Sequence, residues 1–308
     1  MTSDASSNSL SLLPLGIPTL IIADDPQLIA AARAAYAHWR VETPDSEARI
    51  ELRLETRSAS SDGVCLDIHV EGSRLRLDGR GASARADAAT GQARAMVAAE
   101  LATDSAAFTD VIDTLLLFLL ARSERTPIHS AAFLHGDAAV LLAGRSGSGK
   151  STLALSAAAK GLPILSDDMV FVQLEPEFAV WGFPRPIHVF PEDAPAGEHE
   201  ERVRNNKLKA ALPIGVPALR AARATLVLLE RGDELAFGPV DPSQAVHELM
   251  QLDQGFDLLA DESRAAAEKL ASRGAWRLTL ARSPVEAIDF LIARLPASLR
   301  NKAVDTAG

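Results

Sequence analysis

Little in this sequence supports a disulfide, a membrane span or a broad polyanion-binding surface. One cysteine, Cys65, stands among 308 residues, so no disulfide can close within the chain. That fits a reducing cytoplasm, the expected location. Cys65 lies in the mostly alternating stretch Val64-Cys65-Leu66-Asp67-Ile68-His69-Val70, where a half-buried strand residue is expected rather than a reactive thiol. Long hydrophobic runs are also missing. The most apolar stretch, Val111 to Leu120, contains Asp113 and follows Asp110. It is too short and too interrupted to cross a bilayer and reads as a buried helix. Met1-Thr2-Ser3-Asp4 brings no basic residue before the first apolar run, so a secretory signal is not expected. Positive charge is scarce, with 31 Lys and Arg against 41 Asp and Glu and a net charge of −10. A general nucleic-acid or anionic-membrane surface is thereby disfavoured, whereas a nucleotide site needs only a few local cations. No internal repeat is visible. His38 and His69 have no metal-ligating partners at useful spacing and read as structural or surface residues.

What remains is a composition of 47% hydrophobic and 23% charged residues, that of a globular protein long enough for one large domain or two ordinary ones. Residues 1 to about 13 read as a mobile lead. A strand at Thr19–Ile22 is followed by Asp24-Asp25-Pro26, a helix start, with a helix to about Trp39. Strands are expected at Ile50–Leu54, Val64–Val70 and Arg74–Leu77, and a helix over Ala88–Leu101. These make residues 1–105 a small α+β unit. The second domain, 106–308, opens with a helix at Phe108–Ala121. A strand at Ile128–Phe133, a turn at His135-Gly136-Asp137 and a strand at Ala138–Ala143 come next. Further on, Pro191–Lys209 reads as a mobile loop and Ala224–Glu230 as a strand. Helices are expected at Pro242–Leu252 and Ser283–Ala293, with the last ten residues frayed.

The chemistry concentrates just after Ala143. Gly144-Arg145-Ser146-Gly147-Ser148-Gly149-Lys150-Ser151 satisfies the pattern G-x-x-x-x-G-K-[ST] in full. Its glycines allow backbone turns that a side chain would forbid, so successive N–H groups can wrap an anionic phosphate. The helix that follows adds the positive end of its dipole. Lys150 supplies a cation for the β and γ phosphates, and Ser151 a hydroxyl for Mg²⁺. Gly144, Ser146, Gly147, Ser148, Gly149, Lys150, Ser151 and Thr152 are therefore the expected nucleotide-binding residues, with ATP and Mg²⁺ as the cofactors. Gly161-Leu162-Pro163 ends the helix. Ile164-Leu165 opens a strand, and Ser166-Asp167-Asp168 follows less than twenty residues after Lys150. Two carboxylates at that point can serve a γ-phosphate, one as proton acceptor and one in the metal shell.

The order Ile128-His129-Ser130-Ala131, then the glycine loop, then Leu165-Ser166-Asp167-Asp168 resembles the HPr kinase/phosphorylase family and its wider relatives. The likeness covers roughly residues 108–240. It implies an α/β fold with a phosphoenolpyruvate-carboxykinase-like P-loop core, beside the smaller N-terminal α+β unit. It implies an ATP-dependent serine kinase whose acceptor is a peptide or small carrier protein. Asp167 would be the catalytic proton acceptor with Lys150 beside the phosphates, Asp168 a metal ligand with Ser151, and His129 a neighbour of the acceptor or γ-phosphate. The family's Gly-Ile-Ile-Asp-type signature is missing, and the stretch reads Trp181-Gly182-Phe183-Pro184-Arg185-Pro186-Ile187-His188. Glu192 is then the candidate for a second metal position. Arg185 and Lys207 are candidate contacts to phosphate or acceptor, and a homo-oligomer is left open. Two other functions stay in view: a regulatory or assembly ATPase using water alone, with Glu230 as the polarising acid, and a small-molecule kinase.

Overall fold

The computed structural model describes residues 8–42, 47–57, 66–197, 199–204, 207–252, 259–281 and 284–296. Cys65 and the last ten residues lie outside them. The described chain is mixed α/β, with four sheets and six α-helices. Its contacts divide it into Met1–Arg125 and Thr126–Gly308. Among the described residues no helix is long and apolar enough to cross a membrane.

The first unit runs β1 (Ser9–Leu12), β2 (Thr19–Ala23), α1 (Pro26–Ala35), β3 (Ile50–Arg57), β4 (Asp67–Glu71), β5 (Arg74–Gly79), β6 (Ala82–Asp87), β7 (Gln92–Ala98) and α2 (Ser105–Ala121). The strands form one sheet in the order β1-β2-β3-β7-β6-β5-β4. Strict alternation sorts its side chains. Leu52, Leu54, Leu75, Leu77, Ala84, Ala93 and Ala95 are buried, while the residues between them face outward. Helix α1 packs on β2 and α2 on β6. Asp25 caps α1 by accepting the Gln27 N–H at 2.8 Å, and Asp104 caps α2 through Ala106 and Ala107. The wholly buried Tyr36 donates its hydroxyl to Asp113 on α2 at 2.8 Å.

Three expectations are corrected here. Ser9–Leu12 is a paired strand rather than part of a mobile lead. The helix expected over Ala88–Leu101 is instead β7 followed by a short 3₁₀ turn, Ala99–Thr103. Its alanines suggested a helix, but Ala93, Ala95 and Val97 are buried while Gln92, Arg94 and Met96 face out, which is a strand period. Helix α2, assigned to the second domain on sequence, belongs to the first unit by its contacts.

The second unit runs β8 (Thr126–Ile128), β9 (Ser130–His135), β10 (Ala138–Ala143), α3 (Lys150–Ala159), β11 (Ile164–Ser166), β12 (Val170–Gln173), β13 (Ala179–Gly182), β14 (Ile187–Val189), β15 (Glu200–Arg204), β16 (Lys207–Leu212), β17 (Arg220–Ala221), β18 (Arg223–Arg231), β19 (Ala236–Pro239), α4 (Pro242–Met250), α5 (Ala260–Ser272), β20 (Ala275–Leu280) and α6 (Pro284–Arg294). A six-stranded sheet, β11-β9-β10-β18-β20-β19, forms its middle layer, with β10, β18 and β20 parallel. Strand β10 is buried on both faces, which explains its unbroken apolar run. Ala139, Leu141 and Ala143 enter a core shared with α4, α5 and the four-stranded sheet β17-β13-β12-β8. Ala138, Val140 and Leu142 enter a second core, shared with α3, α6 and the three-stranded sheet β14-β16-β15. The expected mobile loop Pro191–Lys209 is mostly structured: a 3₁₀ turn at Pro191–Asp193, then β15 pairing with β16.

Candidate functional site

The glycine loop leaves the central strand β10 and ends at the first residue of α3. Gly147 has φ +82° and Gly149 φ +107°, both in the left-handed region. Gly149 is the residue that starts α3. A Cβ on Gly144 would stand 2.6 Å from the Ser148 hydroxyl oxygen and 3.1 Å from the Leu229 carbonyl, so the loop closes only around glycine there. Lys150 is buried and donates to the Gly144 carbonyl at 2.6 Å. Burial pulls its ammonium pKa down, while Asp168 and Asp167 act to restore it.

The acidic pair and His129 meet because the chain changes sheets twice at one place. Strand β8 pairs with β12 in the four-stranded sheet, and β9 pairs with β10 and β11 in the six-stranded sheet; His129 is the single residue between β8 and β9. The second change is from β11 to β12, and Asp167, Asp168 and Met169 form that link. Ser166 holds it, its hydroxyl accepting the Met169 N–H at 3.2 Å and the Asp168 N–H at 3.4 Å.

The two carboxylates differ sharply. Asp167 is 5% exposed, and its Oδ2 accepts the His188 N–H at 2.8 Å. Its Oδ1 is sealed from solvent and has no hydrogen-bond partner of ordinary geometry. Burial raises the Asp167 pKa to about 6, and the neighbouring Asp168 charge adds to the rise; the His188 N–H, the Ser151 hydroxyl and Lys209 oppose it. Asp168 has a side chain 56% exposed, and its Oδ1 stands 3.5 Å from Nδ1 of His129. His129, Asp168, Lys150, Ser151, Thr152 and the loop residues Gly144 to Gly147 and Gly149 line one cleft of about 630 Å³.

Among the described residues no cluster of three or more His, Cys, Asp or Glu could hold a metal by itself. Magnesium in a phosphate site needs none, since one or two carboxylates, waters and phosphate oxygens suffice. The donor set fits it: the Ser151 hydroxyl, with the orphaned buried Oδ1 of Asp167 nearby. Asp168, the expected ligand, lines the same cleft.

The other candidates separate. Lys207 is exposed, with Nζ 5.7 Å from the centre of the Phe190 ring, and is not in the cleft wall; Lys209, two residues along β16, is. Arg185 donates to the Pro184 carbonyl and stacks on Phe183, outside the cleft lining. Asp193, not Glu192, lines the cleft. Glu230 is engaged by Arg277 at 2.9 Å and Thr279 at 2.8 Å. Sequence reasoning missed Lys209, His188 and Arg231, which also line the cleft. Alternation along Lys207–Leu212 sets Lys209 on the same strand face as Lys207 and so could have added it as a candidate; nothing in the sequence marks a backbone N–H such as that of His188.

By sequence the chain matches no protein family and no curated protein. Among solved structures it is similar to the HPr(Ser) kinase/phosphatase from Coxiella burnetii, at 9% identity and a TM-score of 0.30, over 55% of this chain and 94% of that one. A likeness this distant leaves the functional reading to the geometry.

Proposed function

We propose that the second unit is a Mg-ATP-dependent phosphotransferase that acts on a Ser or Thr hydroxyl of a peptide or small protein. The observation that carries this reading is one cleft wall: the strand–glycine loop–helix presents Lys150 and Ser151 to the space that Asp168 and His129 also face. Loop N–H groups and the start of α3 would cradle the phosphates, and Lys150, Lys209 and Arg231 would supply positive charge. Mg²⁺ bound by Ser151 and a carboxylate would neutralise charge on the β and γ oxygens. The acceptor oxygen attacks the γ-phosphorus, the bond to ADP breaks, and the hydroxyl proton passes to a carboxylate.

The difference in burial favours another division of the acidic pair than the one the family resemblance implies. Asp168 is open to the cleft, with Nδ1 of His129 3.5 Å from its Oδ1, so an arriving hydroxyl meets it first. Asp167 lies buried beside Ser151, suited to the metal side. We therefore assign proton acceptance to Asp168; the resemblance implies Asp167. Glu230 is held by Arg277 and Thr279, which supports transfer over hydrolysis with Glu230 as the polarising acid.

The test is γ-labelled ATP with the peptides or carrier proteins encoded nearby. Label on a hydroxyl side chain is expected; free phosphate alone would select the ATPase. Asp168→Asn should lower transfer by ~10² to 10⁴-fold with nucleotide affinity little changed. Asp167→Asn should mainly raise the magnesium requirement, and the reverse pattern would restore the family assignment. Lys150→Ala should sharply weaken Mg-ATP binding, and a dead Glu230→Gln beside active Asp variants would sink the kinase reading.

A further inference from the structure

The sheet of the first unit turns one face to its helices and the other to solvent. On the outer face the register sets Arg53 opposite Arg94, Arg94 opposite Arg85, Arg85 opposite Arg76, and Arg76 opposite His69. Four guanidiniums and an imidazole thus stand in single file across five adjacent strands. They line a shallow depression of about 900 Å³. Like charges directly opposite in a sheet destabilise it, and this row sits in a chain of net charge −10.

Carboxylates flank the row two residues away along the strands: Glu51 and Asp87 on one side, Glu55 and Asp78 on the other. Arg53 pairs with Glu51 at 2.7 Å, Arg76 with Asp78 at 2.7 Å and Arg94 with Glu55 at 3.4 Å. The pairing leaves the arginines open, since the side chains of Arg76 and Arg94 are each 66% exposed. Arg85, at the centre, is exposed and pairs with no carboxylate among the described residues.

We propose that this face docks an acidic peptide segment, extended and laid across the strands along the arginine row. Strands lie about 4.8 Å apart, so four arginines reach about 14 Å; same-side residues of an extended peptide recur every ~7 Å. Three acids at alternate positions therefore match the row. Arg74, opposite Asp87 and with an 80% exposed side chain, interrupts the carboxylates on one side; elsewhere they narrow the positive lane and disfavour a polyanion wide enough to straddle it. The depression has no Phe, Tyr or Trp, whereas single-stranded nucleic acid is held largely by stacking on such rings. A peptide with alternating acids fits both facts. The proposal does not depend on the phosphotransferase reading.

The test is fluorescence anisotropy of a labelled Ser-Asp-Ser-Asp-Ser-Asp-Ser peptide with the full chain, against the same peptide with Asn for Asp. The acidic peptide should bind, the Asn peptide should not, and binding should weaken steeply with salt. Arg85→Glu and Arg94→Glu should each weaken it by at least about tenfold, and Arg85→Gln by less. Lys150→Ala should leave it unchanged. Equal binding of both peptides, or an Arg85→Glu variant that is folded and binds normally, would overturn the proposal. So would an oligothymidylate of equal charge that binds as tightly through the same arginines, or an Arg85→Glu variant that only turns a dimer into a monomer.

Discussion

Asp167 holds a charge where the surroundings resist one. Its pKa is raised from 3.8 to about 6, chiefly by burial. Between those values the folded chain keeps a proton that the unfolded chain has released. Stability must therefore fall as pH rises through that window, with the full penalty present above about pH 6. Asparagine keeps the acceptor for the His188 N–H and removes the charge. Asp167→Asn is thus expected to stabilise the nucleotide-free protein at pH 7.5 by up to about 3 kcal/mol, and hardly at all below pH 4. Thermal unfolding of both proteins at the two pH values checks this. Equal shifts at both would mean that the carboxyl is not desolvated. Stabilisation together with a raised magnesium requirement would mark Asp167 as a residue kept for function at the expense of stability.

At the scale of elements, the loop between β10 and α3 was legible because its chemistry is local: glycine spacing, an apolar strand before and an alanine-rich helix after. Gly149 shows how tightly that sequence is bound to its geometry. With φ +107°, and a Cβ that would stand 3.0 Å from Cδ1 of Leu280, it accepts no side chain without strain. Gly149→Ala should cost on the order of 1–2 kcal/mol and tilt the first turn of α3, weakening Mg-ATP binding by about tenfold or more. Gly215→Ala, where a Cβ meets nothing within 4 Å, should be close to neutral. Isothermal titration and thermal melts of the two variants test the contrast; similar effects would show that the loop is not conformationally strained. Elements set by distant pairing were harder to read. Strand β7 looked helical because alanine favours helices locally, and only its place between β3 and β6 reveals the alternation. The first half of β16 looked like loop because Pro191–Lys209 is rich in proline and charge, and only pairing with β14 and β15 fixes it as strand. That error led to Lys207 in place of Lys209. The difference in burial between Asp167 and Asp168 was also hidden, since the two are identical neighbours in sequence and only the crossing from β11 to β12 buries one and exposes the other.

At the scale of the whole molecule, the two units have separate means of holding together. The first closes one sheet face under α1 and α2. The second buries both faces of its central sheet, and every residue of its two cores lies between Ile128 and Leu295. The cleft is equally self-contained, with all of its lining residues between His129 and Leu252. Domains of this size with their own core fold independently as a rule. The fragment Thr126–Gly308 is therefore expected to fold cooperatively and, on the proposed function, to bind Mg-ATP within about threefold of the full chain, since no residue lining the cleft is removed. The same fragment should lose the acidic peptide completely, because the arginine row stays behind with Met1–Arg125. Calorimetric unfolding, nucleotide titration and peptide anisotropy on the fragment and the full chain measure all three. Retained nucleotide binding with lost peptide binding is the expected pair. A fragment that unfolds without a cooperative transition would refute the independence of the second core. A folded fragment that still captures the peptide would move the acidic-peptide site away from the arginine row and into the second unit.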